Sequence, residues 1–103
     1  MEGSPYRMAE RKVKGGKLVR VKAAIQGGML AEVRIEGDFF VHPEEGLAKM
    51  EAALRGLAVS DVLAISERAL ANTMERESLT VIGFAPRDVA ELLEEICSGT
   101  DGA

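Results

Sequence analysis

From Leu18 to Ile25 apolar and polar positions alternate, with Val19, Val21, Ala23 and Ile25 on one face and Leu18, Arg20, Lys22 and Ala24 on the other. A period of two predicts a half-buried strand. "QGG" at 26–28 supplies a turn, and "MLAEVRIEGD" resumes the alternation with Ala31, Val33 and Ile35 inward and Glu32, Arg34 and Glu36 outward. The two runs predict an antiparallel hairpin. Upstream, "YRMAERKV" predicts a third strand anchored by Tyr6, Met8 and Val13 and separated from the hairpin by Gly15-Gly16.

At Pro43 the period becomes helical. Pro43 is expected at the first helical position, Glu44 and Glu45 in the first turn, and Leu47, Met50, Leu54 and Leu57 on one stripe, with Gly56 near the end. Ser60 and Asp61 are candidate caps for a second helix, which offers Val62, Leu63, Ile65, Leu70 and Met74 as apolar positions and ends between Asn72 and Glu77. Ala64, Ala69 and Ala71 are expected to let a neighbour approach closely. "SLTVIGF" reads as a short extended segment, and "APRDVAELLEEIC" as a final amphipathic helix burying Val89, Leu92, Leu93 and Ile96.

Strands gathered first and helices after them predict an α+β fold, a small antiparallel three-stranded sheet with three helices on one face. A chain of 103 residues is read as a single domain, 1–103, with flexible ends at 1–10 and 99–103. A sheet this small leaves edges that a partner could cover. With no long apolar run, no N-terminal apolar stretch and one cysteine, the chain is expected to be cytoplasmic, without a membrane span or a disulfide framework.

Charge changes the picture. The net charge of −4 divides unevenly, with eight Lys or Arg against five Asp or Glu in residues 1–42 and five against twelve in residues 43–103. Lys12, Lys14, Lys17, Arg20 and Lys22 crowd around "KGGK". Such a cluster suits an anion or an acidic protein surface, or is simply a solvated strand face. An independent module binding nucleic acid or protein through this hairpin is the alternative reading. Acidic total charge, one Tyr and no Trp count against nucleic acid, because single-strand binders stack bases on aromatic rings.

Candidate chemistry is sparse. His42 is the only histidine, and with Cys97 it makes two potential soft ligands where a closed zinc site takes four. No metal site is therefore expected. Cys97 follows Glu94 and Glu95 near a helix C-terminus, where the field disfavours a thiolate, so packing is its expected role and sulfur chemistry is a poor rival. "KGGK" is not a P-loop, since Lys17 opens a strand rather than a helix. No nucleophile, base and orienting group can be assembled, so no catalytic residue is assigned.

The unusual pair is Phe39-Phe40 in "IEGDFFVHPEE". Neighbours along a strand point to opposite faces, so one ring is expected in the domain's own core and the other against a second surface. "GGKLVRV" (15–21) and "IEGDFFVHPEEGLAKMEAALRGL" (35–57) together resemble the small C-terminal domain of lipoate-protein ligases, which in some archaea is a separate polypeptide. The matching positions are Gly15, Gly16, Lys17 and Leu18; Gly37, Asp38, Phe39 and Phe40; Pro43, Glu44 and Glu45; and Leu54 and Gly56.

The resemblance implies a SufE/NifU-like fold and an accessory role. In that family a catalytic subunit binds ATP, magnesium and lipoate, forms lipoyl-AMP and transfers the lipoyl group to a lysine of an acceptor domain. The small domain is needed mainly for activation. By this resemblance the chain would bind no cofactor itself, would pair with the catalytic subunit as a heterodimer and would meet lipoyl-acceptor domains indirectly. No contact with nucleic acid or membrane is implied. Lys14, Gly15, Gly16, Lys17, Asp38, Phe39 and Phe40 are the positions expected to face the partner or the adenylate.

Overall fold

The computed structural model describes residues 6–13, 15 and 17–99. In chain order they form β1 (Tyr6–Lys12), β2 (Leu18–Gln26), β3 (Met29–Gly37), β4 (Phe40–His42), α1 (Gly46–Leu54), α2 (Val62–Arg76), β5 (Thr80–Ile82) and α3 (Pro86–Gly99). The class is α+β, with an antiparallel sheet in the order β1-β2-β3. Within the extended segment expected at 78–84, Thr80–Ile82 form β5 and pair with β4, a separate short strand where the sequence predicts only the end of the hairpin strand. Phe40 lies opposite Ile82 and His42 opposite Thr80 in this second small sheet. Of the ends expected to be flexible, residues 6–10 pair along β2 within β1 and Gly99 closes α3. The rest of those ends lies outside the described residues.

Val19, Val21 and Ala23 are wholly buried on the inner face of β2, as their alternation requires. In β3, Val33 and Ile35 join them, but the third inward residue is Leu30 rather than Ala31. Ala24 pairs with Glu32 and Ile25 with Leu30, so Ala31 is the extra residue of a β-bulge. One inserted residue reverses the phase of a strand and turns the side chain before it to the opposite face. The anchors of β1 are likewise corrected. Tyr6 and Met8 lie on the outer face, while Ala9 and Val13 pack on the core. Register decides this, because Ala9 sits opposite buried Val21 and Met8 opposite Lys22.

Helix α1 starts three residues later than expected. Pro43–Glu45 form a turn in which the carbonyl of Pro43 accepts from the N–H of Gly46 at 2.8 Å. A proline suits the turn as well as a helix start, since both use its fixed φ and neither needs its missing N–H. In α2 the stripe Val62, Ser66, Leu70 and Thr73 is buried. Two of these positions are polar and were missed, whereas Ala64 and Ala71, expected at a close approach, are exposed. The Ser66 and Thr73 hydroxyls donate to the carbonyls of Val62 and Ala69 four residues back. Satisfied within their own turn, they behave as small buried side chains.

The sheet packs on α1 under β3 and on α3 under β1 and β2, and α2 lies against both helices. Val89, Leu92, Leu93 and Ile96 of α3 are buried as predicted. The edge of β3 is closed. Leu30 N–H donates to the Leu57 carbonyl at 2.9 Å, Gly56 N–H to the Leu30 carbonyl at 2.7 Å, and Ile35 N–H to the Glu51 carboxylate at 2.8 Å. No helix among the described residues is long and apolar enough to cross a membrane.

Candidate functional site

The turn between β1 and β2 is held by Val13 N–H donating to the Lys17 carbonyl at 2.8 Å. It delivers Lys17, exposed, to the end of the sheet where β3 finishes. There Asp38 N–H donates to the Leu18 carbonyl at 2.8 Å. Gly37 permits this contact. Its φ is +143°, and a Cβ on it would lie 2.1 Å from the Leu18 carbonyl oxygen. Only a residue without a side chain lets the two backbones meet.

Beyond Asp38 the two phenylalanines part. Phe39 turns inward, half-buried, and stands edge-on to buried Phe84 with ring centroids 4.9 Å apart and planes at 88°. The backbone at Gly83 passes so close that a Cβ there would lie 2.6 Å from the Phe39 Cβ. Phe40 turns outward and is 72% exposed, and its cross-strand partner Ile82 is 61% exposed. The ring expected in the core is thus Phe39, and the one left for a second surface is Phe40. Ile82 was missed. Its signal lay in the alternation of "TVI", which sets Ile82 opposite in facing to half-buried Val81.

Gly15, Lys17, Gly37, Asp38, Phe39 and Phe40 line one open concavity of about 550 Å³. Segments twenty or more positions apart in the chain therefore share one surface. Lys14 and Gly16, also expected here, lie outside the described residues. The basic cluster is divided by its counter-charges. Arg20 pairs with Glu10 at 2.7 Å and with Glu36 at 3.8 Å, and Lys22 pairs with Glu36 at 3.5 Å. Among the described residues, neither Lys12 nor Lys17 has an ion-pair partner. The outer face is thus a solvated strand face with alternating charge, and Lys17 is an unneutralised cation at its end.

His42 is exposed at the end of β4. Cys97 is half-buried, and burial pushes its thiol pKa up. No group of three or more His, Cys, Asp or Glu among the described residues is placed to hold a metal ion. The arrangement at the site is an aromatic and aliphatic pair beside one cation and one carboxylate. Such a surface can dock, exclude water and place a positive charge; among the described residues it contains no hydrogen-bonded acid and base pair.

No family model matches the chain. Over 45 residues, 44% of its length, the chain is 33% identical to lipoate-protein ligase A subunit 2 of Thermoplasma acidophilum. The chain spans about half the length, 48%, of that curated relative. Its fold is similar to a chain in the structure of an archaeal lipoylation system, a bipartite lipoate protein ligase and its E2 lipoyl domain from Thermoplasma acidophilum. The TM-score is 0.65 at 24% identity, covering 85% of this chain and 96% of that one.

Proposed function

We propose that this chain is the accessory subunit of a bipartite lipoate-protein ligase, docking on a separate catalytic subunit through Phe40 and Ile82 with Lys17 at the rim. The observation that carries the reading is the convergence of Gly15 and Lys17 with the "GDFF" strand end on one exposed surface. The likeness in sequence to lipoate-protein ligase A subunit 2, and in fold to a chain of the bipartite lipoylation system, supports it. A docked apolar pair removes water from its surroundings, and in a drier site the charge on Lys17 acts more strongly on an anion. Activation joins lipoate to the α-phosphate of ATP and releases pyrophosphate. The accessory subunit closes over that step and steadies it without exchanging a proton, and ATP, magnesium and lipoate sit on the partner.

The test uses the catalytic subunit from the same genome. Phe40→Asp is expected to raise the dissociation constant by about 30-fold or more, the loss of a hot-spot contact of roughly 2 kcal/mol. Lys17→Ala is expected to bind nearly normally and to slow lipoate-dependent pyrophosphate release by about tenfold. Unchanged affinity in Phe40→Asp overturns the docking surface. Unchanged pyrophosphate release in Lys17→Ala removes that residue from the activation step.

A further inference from the structure

The two edges of the main sheet are treated differently. While β3 is sealed by the chain segment after α1 and by Glu51, the outer side of β1 at Met8, Glu10 and Lys12 receives no backbone hydrogen bond from the described residues. The ladder shows which groups are open. Val13 N–H bonds the Lys17 carbonyl, and bonded pairs alternate in an antiparallel ladder, so Ala9 and Arg11 bond β2 while Met8, Glu10 and Lys12 turn their N–H and C=O outward. Met8 is also 56% exposed. Arg11, which could guard the edge, is drawn beneath the sheet to Glu91 at 2.7 Å and Glu95 at 3.2 Å of α3. An open edge with an exposed apolar side chain is a template for another strand.

We infer that β1 pairs antiparallel with β1 of a second copy of this chain, in a register centred on Met8, making one continuous sheet across a two-fold axis. The charges of β1 are compatible with a second copy of the same strand in one register. Centring the axis on Ala9 sets Arg7 opposite Arg11, centring it on Glu10 sets two carboxylates face to face, and centring it on Arg7 opposes two guanidinium groups. Centring it on Met8 places Met8 against Met8, Arg7 against Ala9 and Tyr6 against Glu10, with no like charges opposed. The same register makes Met8 a bonded pair with itself, as its outward N–H and C=O require. An isologous contact of this kind closes as a dimer. It leaves Phe40 and Ile82 open, so it stands independently of the docking surface proposed above.

The experiment is sedimentation velocity on the full chain with a concentration series up to about 0.5 mM, and the expected result is a monomer–dimer equilibrium. Met8→Pro deletes an outward N–H without touching the β1–β2 ladder, so it is expected to keep the melting temperature within a few degrees and to weaken dimerisation by at least about tenfold. Phe40→Asp is expected to dimerise as the parent does. In a Cys97→Ser background, Met8→Cys is expected to oxidise to a disulfide-linked dimer, because bonded pairs stand about 5.5 Å apart at Cα, within disulfide reach. Met29→Cys, equally a surface position, should cross-link far more slowly. A parent chain that stays monomeric throughout, a dimer undiminished by Met8→Pro, or cross-linking no faster at Met8→Cys than at Met29→Cys overturns the inference.

Discussion

The Phe39 ring, set edge-on against Phe84 and backed by Gly83, belongs to the domain's interior, whereas Phe40 contributes little to it. Removing a buried Phe costs about 3–5 kcal/mol, and the half-buried Phe39 should cost somewhat less, about 2–4 kcal/mol. Phe39→Ala is therefore expected to lower the thermal midpoint by about 10 °C or more, and Phe40→Ala to change stability by less than about 0.5 kcal/mol. Thermal melts of the two variants check this, and equal losses in both would contradict the assignment of one ring to each side. That the two rings must part was legible in their adjacency. Which ring goes inside was not, because it depends on Phe84 and Gly83, more than forty positions later.

At the level of elements, the contact between the end of β3 and the start of β2 depends on Gly37. Gly37→Ala would drive a methyl into the Leu18 carbonyl while holding a left-handed φ, so a loss of about 3 kcal/mol or more is expected. Urea unfolding measures it, and a loss below about 1 kcal/mol would show that the backbone relaxes freely there. Strands β2 and β3 and the buried stripe of α3 were readable, because period-two and helical patterns are local. The bulge at Ala31 was not, since both phases of β3 offer apolar side chains and pairing with β2 chooses between them. Sequence placed Pro43 inside α1 for a similar reason. The strand β4 exists only because β5 lies beside it, and it ends at His42, leaving Pro43 to the turn.

On the scale of the molecule, Arg11 ties the first strand to the last helix. Its hydrogen bond to Glu91, followed by that from Arg87, holds the Glu91 carboxyl below its ordinary pKa of 4.5. A carboxyl more acidic in the folded chain than in the unfolded one adds stability above its unfolded pKa and loses it as pH falls through the folded value. Relative to the parent, Glu91→Gln is therefore expected to be less stable at neutral pH and to lose less stability below pH 4.5, the two curves converging in acid. Urea midpoints across a pH series test this; parallel curves would remove Glu91 from the acid response. The sequence by itself determined the α+β class, the hairpin, the helical stripes, the uneven charge and the two motifs, because each is written in neighbouring residues. Tertiary structure alone decided that Gly15 and Lys17 share one concavity with Gly37, Asp38, Phe39 and Phe40, that Phe40 and Ile82 lie exposed opposite each other across β4 and β5, that Arg20 and Lys22 are neutralised and that, among the described residues, β1 rather than β3 keeps an open edge. These outcomes depend on pairings between distant segments, and a distant pairing has no local periodicity to announce it.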